Sequence, residues 1–299
     1  MMLSPPKPRA PRRRQRSPQA VHLTQTLQNL WQDYRAAHRR CQRHCGQSSV
    51  HGLRVATRRL MAHLDLLAVI LNAPAVGKAR RILRKRLKSL AELRDGQVQL
   101  NMLTAKIRSF PEMRPLQLIL EKSERRDMAA AAKELSKDRN EKLRKQLTVV
   151  TSRLAAALEF PEEGPRHRAA IKQALQARLH QAVQRQRVAG QEPAAIHRTR
   201  VSMKKYRYLI EAVRPMLPHF DEWRFRRLAD FQEVTGELHD ISVLLTLLGS
   251  MVAKKKLEVW RTHRFREILT RRRTALMVNY SQLTRELFAR RAEALQFAL

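Results

Sequence analysis

The sequence predicts an all-α protein built from two pseudo-symmetric helical bundles. Only eight of the 299 residues are glycine, and long stretches contain neither glycine nor proline. No segment shows the apolar–polar alternation of a half-buried strand. Two similar halves are indicated by a motif of histidine, arginine and paired basic residues, which occurs at His51 and again 146 residues later at His197.

Turn-forming residues divide the chain into roughly eight to ten helices. Residues 1–19 are basic and rich in proline, and we expect them to form a disordered tail. The folded domain is expected at residues 20–299, with one half at about 20–160 and the other at about 161–299. Helix breaks are predicted at residues 45–49, 72–77, 110–115, 160–165, 190–193 and 215–220.

The internal repeat extends beyond the short motif. The segment VHGLRVATRR from Val50 matches IHRTRVSMKK from Ile196, and apolar residues coincide at the positions that follow. The segments ELRDGQVQL from Glu92 and ELHDISVLL from Glu237 match at a separation of 145 residues. Because two copies are too few for a solenoid, the repeat favours a pair of bundles.

Each copy of the motif places its basic residues on one side of a helix. At 100° per residue, His51, Arg54 and Arg58 fall within about 60° of one another, opposite an apolar face. A solvated surface is the alternative, but such a surface has no reason to recur in phase, so we interpret this basic strip as a binding surface. The second copy and the flanking residues add His197, Arg200, Lys204, Arg59, Lys205 and Arg207.

The helix that follows each strip supplies secondary candidates. Asp95 and Asp240 are poor ligands for anions, so we expect each to pair with and orient a histidine or arginine of the strip. A local helix cap or an unrelated ion pair is the alternative for both carboxylates. The secondary binding candidates on these helices are Arg81, Arg84, Lys88 and Arg226.

The charge of the chain indicates a polyanionic partner. Lys and Arg number 61 against 26 Asp and Glu, which gives a net charge of +35. Self-repulsion of this size opposes compaction unless an anion offsets it. Aromatic residues make up only 5% of the chain, which argues against stacking platforms for single-stranded nucleic acid. Because no signal peptide and no uninterrupted apolar stretch long enough to span a bilayer are present, we expect no membrane partner. The chain has only two cysteines, which allow no disulfide framework, so we expect a location in the reducing cytoplasm.

Neither catalysis nor a metal ion is predicted. The chain lacks the G-x-x-x-x-G-K-[ST] phosphate loop and a carboxylate cluster able to hold two catalytic metals, so we expect no enzyme and no cofactor. The pair His239–Asp240 would suit a metal phosphohydrolase, but the first repeat has Arg94–Asp95 there. His38, Cys41 and Cys45 share a helical face and would suit zinc, yet that face continues an apolar core stripe.

These motifs resemble the CHAD family, the conserved histidine α-helical domain. The resemblance covers about residues 20–299 and depends on H-x-x-R-V-x-x-[RK]-[RK] and E-L-x-D-x-x-V-x-L, each present in both halves, and on KKYRYLIE from Lys204. It implies antiparallel helical bundles with a basic channel between them. One departure is Ala91, which stands where a glycine is usual, whereas Gly236 keeps the glycine in the second half.

The resemblance also implies binding of inorganic polyphosphate and an association with polyphosphate granules. The binding residues carried over are the nine basic residues of the two strips and their flanks, from His51 to Arg207. A helical nucleic-acid-binding protein is the alternative, because a chain of this charge will bind DNA non-specifically at low salt. Nearby phosphates should raise the pKa of the histidines, so we expect polyphosphate binding to strengthen below about pH 6.5.

Overall fold

The structure, a computed structural model, describes residues 18–137, 140–159, 164–217 and 221–288. Across these four ranges the chain forms ten α-helices, two short 3₁₀ helices at Pro111–Met113 and Arg214–Met216, and no β-strand, which confirms the all-α prediction. The helices are α1 (Pro18–Arg43), α2 (Gln47–Leu67), α3 (Pro74–Ser89), α4 (Ala91–Thr104), α5 (Arg114–Lys137), α6 (Glu141–Ala157), α7 (Gly164–Arg187), α8 (Pro193–Val213), α9 (Glu222–Ala253) and α10 (Val259–Phe288).

Most helix ends lie close to the predicted breaks, but three breaks were not predicted. Leu90 separates α3 from α4, Asn140 adopts a left-handed conformation (φ 58°) before α6, and Lys255 does so (φ 53°) between α9 and α10. None of these sites carries a glycine or proline. The predicted tail lies outside the described residues as far as residue 17, and its last two residues are already part of α1.

The repeat seen in the sequence recurs in the helix bounds and in the packing. Helix α8 begins and ends at the positions reached from the two ends of α2 by the same shift that relates His51 to His197. In the first half α2 packs on α1 and α3, and in the second half α8 packs on α7 and α9. The halves meet where α2 packs on α8 and α4 on α9. A two-fold axis that relates the halves stays a prediction.

The apolar faces of α2 and α8 are fully buried, as the helical phase predicts. Leu60 and Leu64 of α2 and Tyr206 and Ile210 of α8 are each at most 1% exposed. Burial of each such side chain contributes roughly 1.5–3 kcal/mol to folding. This burial fixes the rotation of both helices about their axes, and it therefore turns the basic strips away from the core.

Two equivalent carboxylates tie the halves together. The Asp65 carboxylate of α2 forms ion pairs with Arg80 of α3 and, at 3.7 Å, with the Arg178 Nη2 of α7 in the second half. Glu211 of α8, which is the counterpart of Asp65 in the second half, accepts the Arg59 Nε of α2 at 3.5 Å. Each half thus contributes one carboxylate that receives an arginine from the other half.

The two cysteines lie in the core. Cys41 is fully buried and Cys45 is 3% exposed, and their free thiols lie 3.7 Å apart. The core interpretation of these residues is confirmed. Within the described ranges, no group of three or more His, Cys, Asp or Glu side chains could hold a metal ion.

Helix α9 is long and apolar enough to cross a membrane by length and composition. This differs from the sequence expectation, because a hydropathy average over a long window tolerates polar residues that interrupt a purely apolar run. Long core helices of soluble bundles meet the same criterion. Here α9 packs against α8, α10 and α4.

The buried His63 makes the fold sensitive to acid. Its Nε2 lies 3.0 Å from the carbonyl of Leu23, and burial lowers the pKa of the imidazole to about 4. Since the unfolded chain takes up this proton near pH 6.5, stability is full above that pH and falls as the pH drops towards 4. We expect this residue alone to cost about 2 kcal/mol of unfolding free energy between pH 7 and pH 5.

Urea unfolding at pH 7 and pH 5 measures this loss. The His63→Gln variant provides the comparison, because glutamine can still donate to the Leu23 carbonyl but does not titrate. An equal loss of stability in the variant would show that other groups cause the acid sensitivity.

Candidate anion-binding site

The two basic strips converge where α2 packs on α8. Burial lowers the pKa of His51 below its usual value, and Arg94 of α4 and Lys204 of α8 lower it further. Arg58 of α2 lies close enough to Lys204 and to Arg200 to lower the pKa of both. The strip of the first half is thus an electrostatic neighbour of the strip of the second.

Two residues outside the strips join this group. Arg94 of α4 and His239 of α9 occupy equivalent places in the ELRD and ELHD segments. The ring centroids of His239 and His197 lie 4.1 Å apart, and Arg94 affects both His51 and Arg54. We define the central basic cluster as His51, Arg54, Arg58, Arg94, His197, Arg200, Lys204 and His239.

The central basic cluster is partly buried and strongly positive. Burial, followed by repulsion from Arg58, lowers the pKa of Arg54 to about 10. Burial together with Arg58 and Arg200 lowers the pKa of Lys204 to about 7. The pKa values of His197 and His239 are also lowered, first by burial and then by a neighbouring base. An anion among these groups would offset both the repulsion and the lost hydration.

Several buried polar atoms of the cluster lack an acceptor. Among the described residues, no hydrogen-bond partner faces the Arg94 Nη1, the Arg200 Nε or the His197 Nδ1. Arg54 is satisfied in part, because its Nη1 donates to the Leu87 carbonyl of α3 at 3.0 Å. Buried donors without partners are rare in folded proteins, and here they mark a place for oxygen atoms of a ligand.

The two acidic residues lie beside the cluster without pairing directly. The charge of Asp95 raises the pKa values of His197 and His239. The charge of Asp240 likewise raises those of Arg94 and Arg200, so each carboxylate favours the charged form of the bases near it. Within the described chain, neither carboxylate forms an ion pair with these bases. Burial raises the pKa of Asp240 despite these cations. The predicted direct pairing of these carboxylates with a base is therefore not found among the described residues, and their orienting role stays a prediction. The backbone carbonyl of Asp240 accepts the Gln99 Nε2 at 3.3 Å.

The glycine at position 236 lies directly under a cluster arginine. A Cβ atom built there would be 3.4 Å from the Arg200 Nη2, so the guanidinium group lies close to the backbone of α9. Ala91 is the equivalent residue of the first half, where Arg54 reaches the Leu87 carbonyl of α3 instead. The half that has Ala91 in place of a glycine is thus also the half whose arginine, Arg54, hydrogen-bonds to the neighbouring helix α3.

The structure separates the flanking residues Arg59 and Lys205 from the cluster, whereas Arg207 lies at its edge, because its charge lowers the pKa of Lys204. Arg59 pairs with Glu211 of the other half at 3.5 Å and so helps to join the halves, whereas Arg207 pairs with the same carboxylate along α8. Lys205 and the secondary candidate Arg84 lie near Asp65 instead. The remaining secondary candidates, Arg81, Lys88 and Arg226, are exposed, and no interaction within the described ranges links them to the cluster.

Sequence reasoning had not assigned Arg94 and His239 to the site. The signal was present, since both residues directly precede the aspartates Asp95 and Asp240 in the matched segments. A basic residue at the same place in both halves has the same recurrence that singled out the strips. The difference between arginine and histidine concealed this recurrence.

Comparison with known proteins agrees with the resemblance. The family model described as the CHAD domain matches residues 16–249. The chain belongs to the CHAD domain family. The crystal structure of the CHAD domain from the plant Ricinus communis is similar to this one, with a TM-score of 0.62 and 18% identity over 92% of this chain and 89% of that chain. No curated protein sequence matches the chain.

Both copies of the repeated motif lie at the central basic cluster of this CHAD domain. Six of the eight cluster residues come from the two copies of the motif, and the other two are Arg94 and His239. Arg58 lies at the centre, because its charge lowers the pKa of five other members of the cluster. These are His51, Arg54, Arg94, Arg200 and Lys204. The arrangement is suited to holding several negative charges close together.

Proposed function

We propose that this CHAD domain binds inorganic polyphosphate, without catalysis, through the central basic cluster. The observation that carries the proposal is the convergence of bases from both halves with buried donor atoms that have no acceptor among the described residues, such as the Arg200 Nε. Arginine donates paired hydrogen bonds to phosphate oxygens, and lysine adds a compact charge.

A linear polyphosphate matches this cluster better than nucleic acid does. Every unit of the chain carries negative charge, and none presents a base edge to be read. The cluster places arginine, lysine and histidine side chains at close range. The ring contact described within it is between the imidazoles of His197 and His239. We further propose that the protein works in the cytoplasm, where this binding would bring it to polyphosphate granules.

Competition between polyphosphate and duplex DNA tests the proposal. The two ligands are titrated at equal phosphate concentration and about 150 mM salt, because non-specific DNA binding weakens steeply with salt. The control is a variant without residues 1–17, a segment that carries six Lys and Arg. We expect polyphosphate to bind more tightly than DNA, and the deletion to change its affinity only slightly.

Equal binding of DNA, with both affinities reduced by the deletion, would contradict the proposal and favour the nucleic-acid alternative. Incubation with polyphosphate also tests the absence of catalysis. Release of inorganic phosphate by the purified protein, but not by a protein inactivated by heat, would show an enzyme.

A further inference from the structure

A second group of basic residues surrounds Asp65, which follows Arg58 on α2 by two turns. Arg80 and Arg178 pair with the Asp65 carboxylate, and Arg84 and Lys205 lie close enough to act on its ionisation. Arg185 acts on Lys205 and is held in place by a 2.6 Å hydrogen bond from its Nη1 to the Ser202 Oγ. We call these residues, namely Arg80, Arg84, Arg178, Arg185 and Lys205 around Asp65, the Asp65 cluster.

The Asp65 cluster is distinct from the central basic cluster. The pKa of Lys205 is lowered by the charges of Arg178, Arg185 and Arg84, and none of these three arginines is among the causes that lower the pKa of Lys204. Consecutive residues of a helix project about 100° apart, so Lys204 and Lys205 face different sides of α8. The two groups also draw on different helices, because α3 and α7 supply four of the five bases here.

The bases around Asp65 exceed what is needed to join the two halves. The equivalent Glu211 joins them with one arginine, Arg59, and its other partner, Arg207, lies on the same helix. At the shift of 146 residues, Arg185 and Lys205 have the basic counterparts Arg39 and Arg59, whereas the counterpart of Arg178 is the uncharged Gln32. Asp65 likewise pairs with one arginine of each half, so Arg84, Arg185 and Lys205 are bases beyond those that its ion pairs use.

One carboxylate does not neutralise this group. Burial and the neighbouring arginines lower the pKa of Lys205, although Asp65 opposes this. Burial even raises the pKa of Asp65 against the pull of four cations. Lys205 and Arg84 are nevertheless exposed, so an incoming anion can reach them.

We propose that the Asp65 cluster is a second anion site that takes a run of two or three linked phosphates. Five bases against one carboxylate leave an excess of four positive charges, which a tripolyphosphate group can balance while its oxygens accept from the arginines. On α2, Asp65 follows Arg58 by two turns, or about 10 Å. The phosphates can therefore come from the same chain that occupies the central basic cluster or from a separate small phosphate.

Calorimetric titration with tripolyphosphate tests this site. The test variant is Arg84→Ala/Lys205→Ala, which removes two exposed bases and leaves the ion pairs of Asp65 intact. Arg168→Ala/Lys172→Ala is the control, since it removes the same charge from exposed positions of α7. We expect two equivalents of tripolyphosphate to bind the wild type and the control, and one of them to be lost or weakened at least about tenfold in the test variant.

Titration with long polyphosphate distinguishes the two sources. If one chain spans both clusters, the test variant will bind long polyphosphate about tenfold more weakly than the control does. If the site takes free small phosphates, affinity for the long chain will stay unchanged while the tripolyphosphate equivalent is lost. The proposal is overturned if the test variant and the control bind both ligands alike.

This inference extends the proposed function but can fail separately from it. The Arg58→Ala variant removes a base of the central basic cluster and leaves the Asp65 cluster complete. Loss of binding in Arg58→Ala with no change in Arg84→Ala/Lys205→Ala would leave polyphosphate binding standing and reject the second site. The reverse pattern would reject the central basic cluster as the binding site.

Discussion

Replacement of Arg58 by alanine will weaken polyphosphate binding about 10- to 100-fold and will not lower the melting temperature of the protein. A hydrogen bond to a charged group contributes about 1.5–3 kcal/mol, and each 1.4 kcal/mol corresponds to a factor of about ten in affinity. Without ligand, Arg58 is a source of repulsion, because it lowers the pKa of Arg54, Arg200 and Lys204. Its removal relieves that repulsion in the free protein.

The combination of the two effects makes this variant informative. Binding is measured by titration at about 150 mM salt, where exposed charges are largely screened. Thermal unfolding of the free protein is followed by circular dichroism. Arg168→Ala provides the matched control, because this exposed arginine of α7 lies outside both clusters. If Arg58→Ala binds as tightly as the control, Arg58 does not contribute to binding. If the variant melts several degrees lower than the control, Arg58 has a structural role instead.

The buried cations that suit the cluster to bind an anion destabilise the free protein, so the cluster depends on the packing of the rest of the fold. Arg54, Arg94, Arg200 and Lys204 all have lowered pKa values from burial, so each is held in a place that its charge disfavours. The buried apolar faces of α2 and α8 supply the free energy that holds the helices in register despite this repulsion. Sites that bind strongly are commonly unfavourable in the free protein in this way.

Much of the fold could be predicted from the sequence, because helical phase and repeat spacing are local properties. The bounds of α2 and α8 are related by the same shift as the two copies of the motif. The break at Leu90 could not be predicted, since the second half continues through the equivalent position as the single helix α9. Tertiary packing decides between one helix and two there.

The composition of the site was harder to predict. Helical phase tells which side of its own helix a residue faces, so His51, Arg54 and Arg58 were grouped correctly. It does not tell how two helices cross, and the crossing decides which neighbours meet. For this reason Lys205 was grouped with Lys204, whereas the structure places it beside Asp65.

The affinity for polyphosphate will also fall by up to about tenfold per pH unit above pH 7, because of Lys204. Burial and the cations Arg58, Arg200, Arg207 and Arg54 lower the pKa of its ammonium group to about 7. A bound polyanion raises that pKa again, so binding takes up a proton between the free and the bound value. Affinity is therefore highest below pH 7 and falls as the pH rises through this window.

A second window lies at lower pH, where the histidines titrate. The pKa values of His51, His197 and His239 are all below the usual 6.5 in the free protein, so these residues are neutral at pH 7. A polyanion favours their charged forms, and affinity should rise again as the pH falls below about 6.5. The sequence expectation covered this window only, because the burial of Lys204 was not visible in the sequence.

The variant Lys204→Arg separates the two windows. Arginine keeps its charge to far higher pH, so the decline in affinity between pH 7 and pH 9 should disappear while the rise below pH 6.5 remains. Calorimetry in buffers of different ionisation enthalpy should show proton uptake on binding by the wild type at pH 7.5 and none by the variant. Equal slopes in the two proteins would place the titrating group elsewhere, and Lys204 would then bind as an ordinary charged lysine. A slope that follows Lys204 would mean that the ligand supplies the negative charge that this buried lysine lacks in the free protein.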